Sequence, residues 1–251
     1  MNYISNRLKK DIKKLQKNSF RKKKGLIVVE GINPLKKAVG NNLNLKYLII
    51  NKKEKDLINY FFDIYKDKIY TATKKDMRSV TSMNTPYKII GVFKKPEISF
   101  KENKPTLFLD KLQDPGNLGT LIRSSAAFGI RNIFLTPDSV NPFSSKVIRS
   151  SSGYIFQVYI EKKEIDLNNY KSKGYTLYGT SLDEKSESIE KINFKFPYIL
   201  ILGNEGNGIS EKYKKYIDVN MKIKMNKNVD SLNVAVAGSI ILSNMYKDMN
   251  G

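Results

Sequence analysis

The sequence predicts an α/β protein, a small α/β unit followed by a larger one built on a mostly parallel sheet with helices on both faces. Three observations predict it. Short apolar runs rich in Ile, Val, Leu and Phe alternate with stretches of helical periodicity along most of the chain, as in successive βα units. A polar stretch over residues 94–105, holding two prolines, divides that pattern in two. Several apolar runs end in Gly, Asn and Pro, the residues that turn a strand into the next helix.

Residues 1–24 carry ten basic residues and one acid, Asp11. Ile4, Leu8, Ile12 and Leu15 recur at helical spacing, so this segment is expected as a basic amphipathic helix. Such a helix suits an RNA surface, an anionic membrane surface or the cap of the next domain. The apolar runs at 26–29, 47–50 and 89–93 read as buried strands, with helices at 34–39, 54–65 and 74–82 between them. They form a small domain over residues 25–95, joined through a linker at 96–105 to a second domain over 106–251. There, strands are expected at 107–109, 133–135, 175–178, 198–202 and 219–225. Helices are expected at 118–128 and 142–152, each ended by a glycine, and at 232–247.

Composition narrows the chemistry. The 251 residues include no cysteine and no histidine, which excludes disulfides, thiolate nucleophiles, His general bases and nearly every transition-metal site. No metal is expected. The formal net charge of +21 implies a polyanionic partner such as nucleic acid. No apolar run approaches the roughly 20 residues that cross a bilayer, and the basic N-terminus lacks the apolar core of a signal peptide. A soluble, cytoplasmic protein without a membrane partner is therefore expected.

Three stretches carry candidate chemistry. Asp114-Pro115-Gly116-Asn117-Leu118-Gly119-Thr120, with Arg123 beyond it, follows a strand and opens a helix. Ligands gather at that position in open α/β sheets, where helix N–H groups and an arginine can bind an anion. The same residues equally describe a Pro-Gly turn with a capped helix and a surface arginine. Gly203-Asn204-Glu205-Gly206-Asn207-Gly208 follows another apolar strand, and its three glycines permit a tight turn against a bulky ligand. It matches neither a P-loop nor the dinucleotide-binding fingerprint. The third stretch is Ile223-Lys224-Met225 followed by Ser231-Leu232-Asn233-Val234, with Ser231 placed to cap the closing helix.

In this order the three stretches resemble the motifs of the SpoU (TrmH-like) family of RNA 2′-O-methyltransferases. The first is similar to its Asn-x-Gly-x-x-x-Arg motif at Asn117, Gly119 and Arg123. The second resembles its Gly-Asn-Glu-Gly loop at Gly203 to Gly206, and the third its Ser-Leu-Asn-Val motif at Ser231 to Val234. Lys146, Arg149, Ser151 and Gly153 follow the family's intervening pattern. Val29-Glu30-Gly31 with the helix after it, and Thr81 to Pro86, resemble the family's N-terminal RNA-binding domain. The sequence departs from the family at Tyr87-Lys88, where Gln-Gly is usual, and at Lys224, where proline is usual.

The resemblance implies a SPOUT-type parallel sheet with a C-terminal trefoil knot, a small N-terminal L30e-like domain and a homodimer that completes the active site. It implies S-adenosylmethionine held by Thr180, Leu202, Gly203, Ile223, Met225 and Leu232. It implies that Arg123 is the central catalytic residue, with Asn117, Glu205, Ser231 and Asn233 positioning substrate and cofactor. Arg123, Lys146 and Arg149 are the implied RNA contacts, and a structured RNA, ribosomal above all, the implied substrate. Transfer RNA as substrate, and a non-catalytic RNA-binding role, are the alternatives. An arginine is a poor general base because its pKa exceeds about 12, so Arg123 is expected as an electrostatic clamp on phosphate. Glu205, a phosphate oxygen or water then receives the hydroxyl proton.

Overall fold

The computed structural model describes residues 2–181, 183 and 185–250, with the side chain of Asn250 left out, so Met1 and Gly251, the ends of the expected segments, lie outside it. The chain forms two compact units, one of Met1–Glu97 with Asn141–Phe156, the other of Ile98–Val140 with Gln157–Gly251.

In the first unit the strands are β1 (Asn2–Tyr3), β2 (Leu26–Glu30), β3 (Leu45–Asn51), β4 (Ile69–Ala72) and β5 (Ile89–Lys94), in the order β1-β4-β3-β5-β2. β1, β4 and β3 run parallel, and β5 is antiparallel to both β3 and β2. The helices are α1 (Asn6–Lys14), α2 (Asn18–Lys24), α3 (Ile32–Gly40), α4 (Lys55–Tyr65) and α5 (Lys74–Val80). The basic N-terminal segment, expected as one helix, is therefore a short strand and two helices. The break follows from Arg21, a buried residue whose guanidinium donates to the Leu15 and Gln16 carbonyls at 2.9 and 2.7 Å and so satisfies the end of α1. Ile4, Ile12 and Leu15 are buried with Val28, Ile49, Met77 and Val80, and Leu8 and Phe20 pack against them.

The segment Asn141–Phe156, expected inside the second domain, belongs to this first unit. Its helix α6 (Ser145–Ser150) is shorter than the expected 142–152, because the Ser144 side chain caps its start and Ser152 and Gly153 adopt positive φ after its end. Arg149 ion-pairs with Glu30 at 2.6 Å and donates to Ser82 Oγ at 2.7 Å. A Cβ at Gly153 would lie 2.9 Å from Pro34 Cα, so only glycine lets this turn approach α3.

The second unit is a seven-stranded sheet, parallel throughout, ordered β10-β12-β9-β11-β6-β7-β8. Its strands are β6 (Thr106–Leu109), β7 (Asn132–Leu135), β8 (Tyr159–Lys162), β9 (Thr176–Thr180), β10 (Glu187–Ser188), β11 (Tyr198–Leu202) and β12 (Val219–Lys222). The helices are α7 (Pro115–Ala127), α8 (Leu167–Ser172), α9 (Glu211–Lys214) and α10 (Val234–Asn250). β11 and β6, wholly buried, form the centre. The strand expected over 219–225 stops at Lys222, whose last neighbour is Ser188 of β10, and residues 223–225 leave the sheet. Among the described residues no helix is long and apolar enough to cross a membrane.

Candidate functional site

In the second unit, parallel strands direct their C-terminal ends to one side, and the three singled-out stretches lie at those ends. The side chain of Asp114 accepts the Asn117 N–H at 2.8 Å and caps α7, with Pro115 in its first turn. The capped turn of this stretch is thus present, with the Asp114 carboxylate at the helix start.

Leu202 ends β11, and the chain turns sharply at Gly203. A Cβ there would come within 2.0 Å of the Gly208 carbonyl carbon and 2.2 Å of the Ile209 nitrogen, so the loop can fold back only on a glycine. Asn204 ties the loop together. Its backbone exchanges two hydrogen bonds with Gly208, at 3.0 and 2.9 Å. Its Oδ1 accepts the Gly206 N–H at 2.8 Å, and its Nδ2 donates to the Lys111 carbonyl at 2.9 Å. The far end is held by Asp110, a fully buried residue whose carboxylate accepts the Ser210 N–H at 2.7 Å. Glu205 stands exposed on this tethered loop.

Asn117 joins the stretches. Its Nδ2 donates to Glu205 at 2.7 Å, and its Oδ1 accepts from Asn233 Nδ2 at 3.0 Å. Asn233 in turn accepts the N–H groups of Ala235 and Val236 at 2.9 and 3.3 Å. The cap of the closing helix is therefore Asn233 and not Ser231, because α10 starts at Val234. One amide thus fixes a carboxylate on the glycine loop and the residue that starts the last helix.

Around these groups lies a cavity of about 580 Å³, within the usual range of ligand pockets. Thr180, Leu202, Gly203, Ile223, Met225 and Leu232 all line it, as do Glu205, Ser231 and Asn233. Lys214, Lys222, Asn204 and Ile241 line it too and were not foreseen. The signal for Asn204 was present in the Gly-Asn-Glu-Gly stretch. Nothing local marks Lys214 or Ile241, which reach the cavity from α9 and α10. Arg123 is exposed on α7, has no ion pair or hydrogen bond among the described residues, and is not among those lining the cavity. Among the described residues no cluster of three or more His, Cys, Asp or Glu side chains gathers to hold a metal ion.

The remaining two expected RNA contacts lie in the first unit. Lys146 is exposed on α6. Arg149 is held by the side chain of Glu30, itself fully buried, and that carboxylate also accepts the Ser82 N–H at 2.9 Å. Arg149 faces a separate cavity of about 570 Å³ within this unit, lined also by Gly31, Asn33, Tyr87 and Lys88.

A profile of the SpoU rRNA Methylase family matches residues 104–243, and one of the MRM3-like substrate binding domain matches residues 6–91. The 23S rRNA (guanosine(2553)-2′-O)-methyltransferase RlmP of Bacillus subtilis is 28% identical over 235 residues, covering 93% of each chain. A tRNA/rRNA methyltransferase of Borreliella burgdorferi, itself uncharacterized, is 30% identical over 211 residues, covering 82% of this chain and 90% of its own. Among solved structures, the AdoMet-bound rRNA methyltransferase from Sinorhizobium meliloti superposes with a TM-score of 0.84 at 23% identity, covering 100% of this chain and 98% of that one. The SpoU methyltransferase AviRb from Streptomyces viridochromogenes, in complex with AdoMet, gives 0.84 at 21% identity, covering 99% and 100%. At these identities the two structures establish the fold.

Proposed function

The chain belongs to the SpoU rRNA methylase family, and on that premise we propose that it transfers the methyl group of S-adenosylmethionine to a ribose 2′-hydroxyl of ribosomal RNA. The observation that carries this reading is the convergence of Asn117, Glu205 and Asn233, from three separate stretches of sequence, beside one cavity at the ends of a parallel sheet. The relative whose name specifies a 2′-O position on 23S rRNA spans nearly the whole chain, which supports ribosomal over transfer RNA.

The cavity fits the cofactor. Leu202, Ile223, Met225 and Leu232 offer apolar walls for a nucleoside, the Thr180 hydroxyl offers a polar contact, and Gly203 keeps the loop free of a side chain that would push it open. S-adenosylmethionine bound there supplies an electrophilic methyl group, so the protein's own work is to place the ribose, take its proton and keep water out. Asn117 points the Glu205 carboxylate and leaves it able to accept the hydroxyl proton. Ser231 and Asn233 position the ribose.

Arg123 cannot act as a base, because guanidinium keeps its proton. It clamps an RNA phosphate instead, and because it does not line the cavity of its own chain, the reading includes a homodimer in which a second copy supplies it. The trefoil knot belongs to the same reading and rests on the family resemblance. Lys146 contacts RNA directly, and Arg149 contributes by holding the first unit together. A cytoplasmic location fits this reading of a ribosomal RNA substrate.

Titration with S-adenosylmethionine by calorimetry, with mapping of 2′-O-methyl groups on 23S rRNA from a deletion strain, tests the proposal. Micromolar binding and one missing methyl group are expected. A folded protein that binds no cofactor, with or without RNA, would overturn it.

A further inference from the structure

The N-terminal segment of the first unit sorts its residues onto two sides. The apolar residues Ile4, Ile12 and Leu15 are buried against the sheet, and Leu8 and Phe20 pack on the same cluster. Apart from the buried Arg21 and the half-buried Lys9, the basic residues are left outside: Lys10, Lys13, Lys14, Lys17, Lys22 and Lys23 are all exposed. Among the described residues the segment has a single ion pair, Lys9 with Asp76 at 2.7 Å. α1 and α2 bring like charges together, since Lys14 and Lys24 both approach the Phe20 ring, at 5.8 and 5.9 Å from its centre. A cluster of cations with Asp11 and Asp76 as its few counter-charges favours an anionic partner.

Two further features identify the partner. A membrane-surface helix must dip an apolar face into lipid, and here that face is buried in the protein. Reading bases relies on aromatic rings, amide forks and guanidinium groups, yet on the outer faces of α1 and α2 Phe20 lies beneath its lysines and the exposed cations are lysines apart from Arg7. Long, mobile ammonium groups remain, and these fit phosphates as point charges. We infer that the outer faces of α1 and α2 form a phosphate-backbone contact for RNA that adds affinity without choosing the sequence. This deepens the proposed function, which names RNA as substrate, and concerns a surface apart from the methyl-transfer cavity.

The test compares the full-length protein with a variant carrying Lys13→Gln, Lys14→Gln, Lys17→Gln, Lys22→Gln, Lys23→Gln and Lys24→Gln. Binding is measured across a salt series to three probes. The first is a labelled transcript of the segment around guanosine 2553 of 23S rRNA, the position in the relative's name. The others are an unrelated RNA hairpin of equal length and phosphatidylserine vesicles. Every phosphate deprived of its lysine lowers the slope of log affinity against log salt by about 0.9 on a duplex, so a fall of about 2 or more is expected, equal for the two RNAs. The modified nucleotide and the affinity for S-adenosylmethionine should not change.

An unchanged slope, a loss confined to one RNA, a shifted methylation site or a loss confined to vesicles would each overturn the inference. Should the six-fold variant fold poorly, the triple change at Lys13, Lys22 and Lys23, away from Phe20, gives the same reading with a smaller fall. Failure of the proposed methyl transfer would appear separately, as a wild-type protein that binds RNA with steep salt dependence but methylates none.

Discussion

Asn117 engages both ends of its amide, one with Glu205 and one with Asn233, so neither residue is free to choose its own orientation. Arg123 is the opposite case, an exposed cation held by no other side chain among the described residues. A group with no structural task can be removed without harm to the fold. Arg123→Ala is therefore expected to abolish methyl transfer while leaving the calorimetric affinity for S-adenosylmethionine nearly intact; normal turnover by this variant would remove it from the chemistry. Asp76 shows how a single carboxylate holds the N-terminal segment. Hydrogen bonds from Lys9, Thr73 and Tyr3 keep its pKa well below the usual 3.8. Because the folded value is depressed, its contribution to stability is complete above about 3.8 and is lost as pH falls from there through the lower folded value. Melting temperature should drop across that acidic range, and Asp76→Asn should lower stability at neutral pH while flattening the acid-side fall.

At the scale of elements, α6 depends on a residue 119 positions away, since Arg149 is fixed by Glu30 from β2. Removing one member of a buried ion pair leaves the other charge uncompensated. Arg149→Leu should destabilise the protein by about 3–5 kcal/mol in urea unfolding, and the double change with Glu30→Leu should restore much of that. This pair also marks what the sequence could and could not disclose. β2, β3, β5, β6, β7 and β11 were legible because each is an apolar run that no surface element would carry. β4 and β8 were not, because Ile69-Tyr70-Thr71-Ala72 and Tyr159-Ile160-Glu161-Lys162 are short and mix polar with apolar residues. The fate of 141–156 was hidden because its partners are distant in sequence. The lining of the cavity by Glu205, Gly203 and Leu232 was legible only through the family motifs, since their neighbours in sequence explain them equally well as turns and caps. The tie from Asn117 to Glu205 and Asn233, and the anchoring of the loop by Asp110, depend on side-chain geometry that spacing does not encode.

For the molecule as a whole, a charge of +21 on 251 residues opposes compaction wherever it is unscreened. Salt shortens the range of that repulsion from about 30 Å at 0.01 M to about 8 Å at 0.15 M. The melting temperature is expected to rise over this interval, and scanning calorimetry that finds it falling would show that attractive pairs outweigh the excess of base. The strand order of the second unit has a consequence for synthesis on the ribosome. Among the described residues β9 pairs only with β11 and β12, both encoded after it, while β6, β7 and β8 can join as soon as they emerge. β11 alone links the two halves, so the sheet stays divided until residue 202 has left the exit tunnel. The first unit waits as well: its strands are all translated by Lys94, yet the buried Glu30 carboxylate has no guanidinium until Arg149 arrives. Translation thus delivers the partner of one unit's buried charge from within the sequence of the other, and the nascent chain must carry both units unfinished at once.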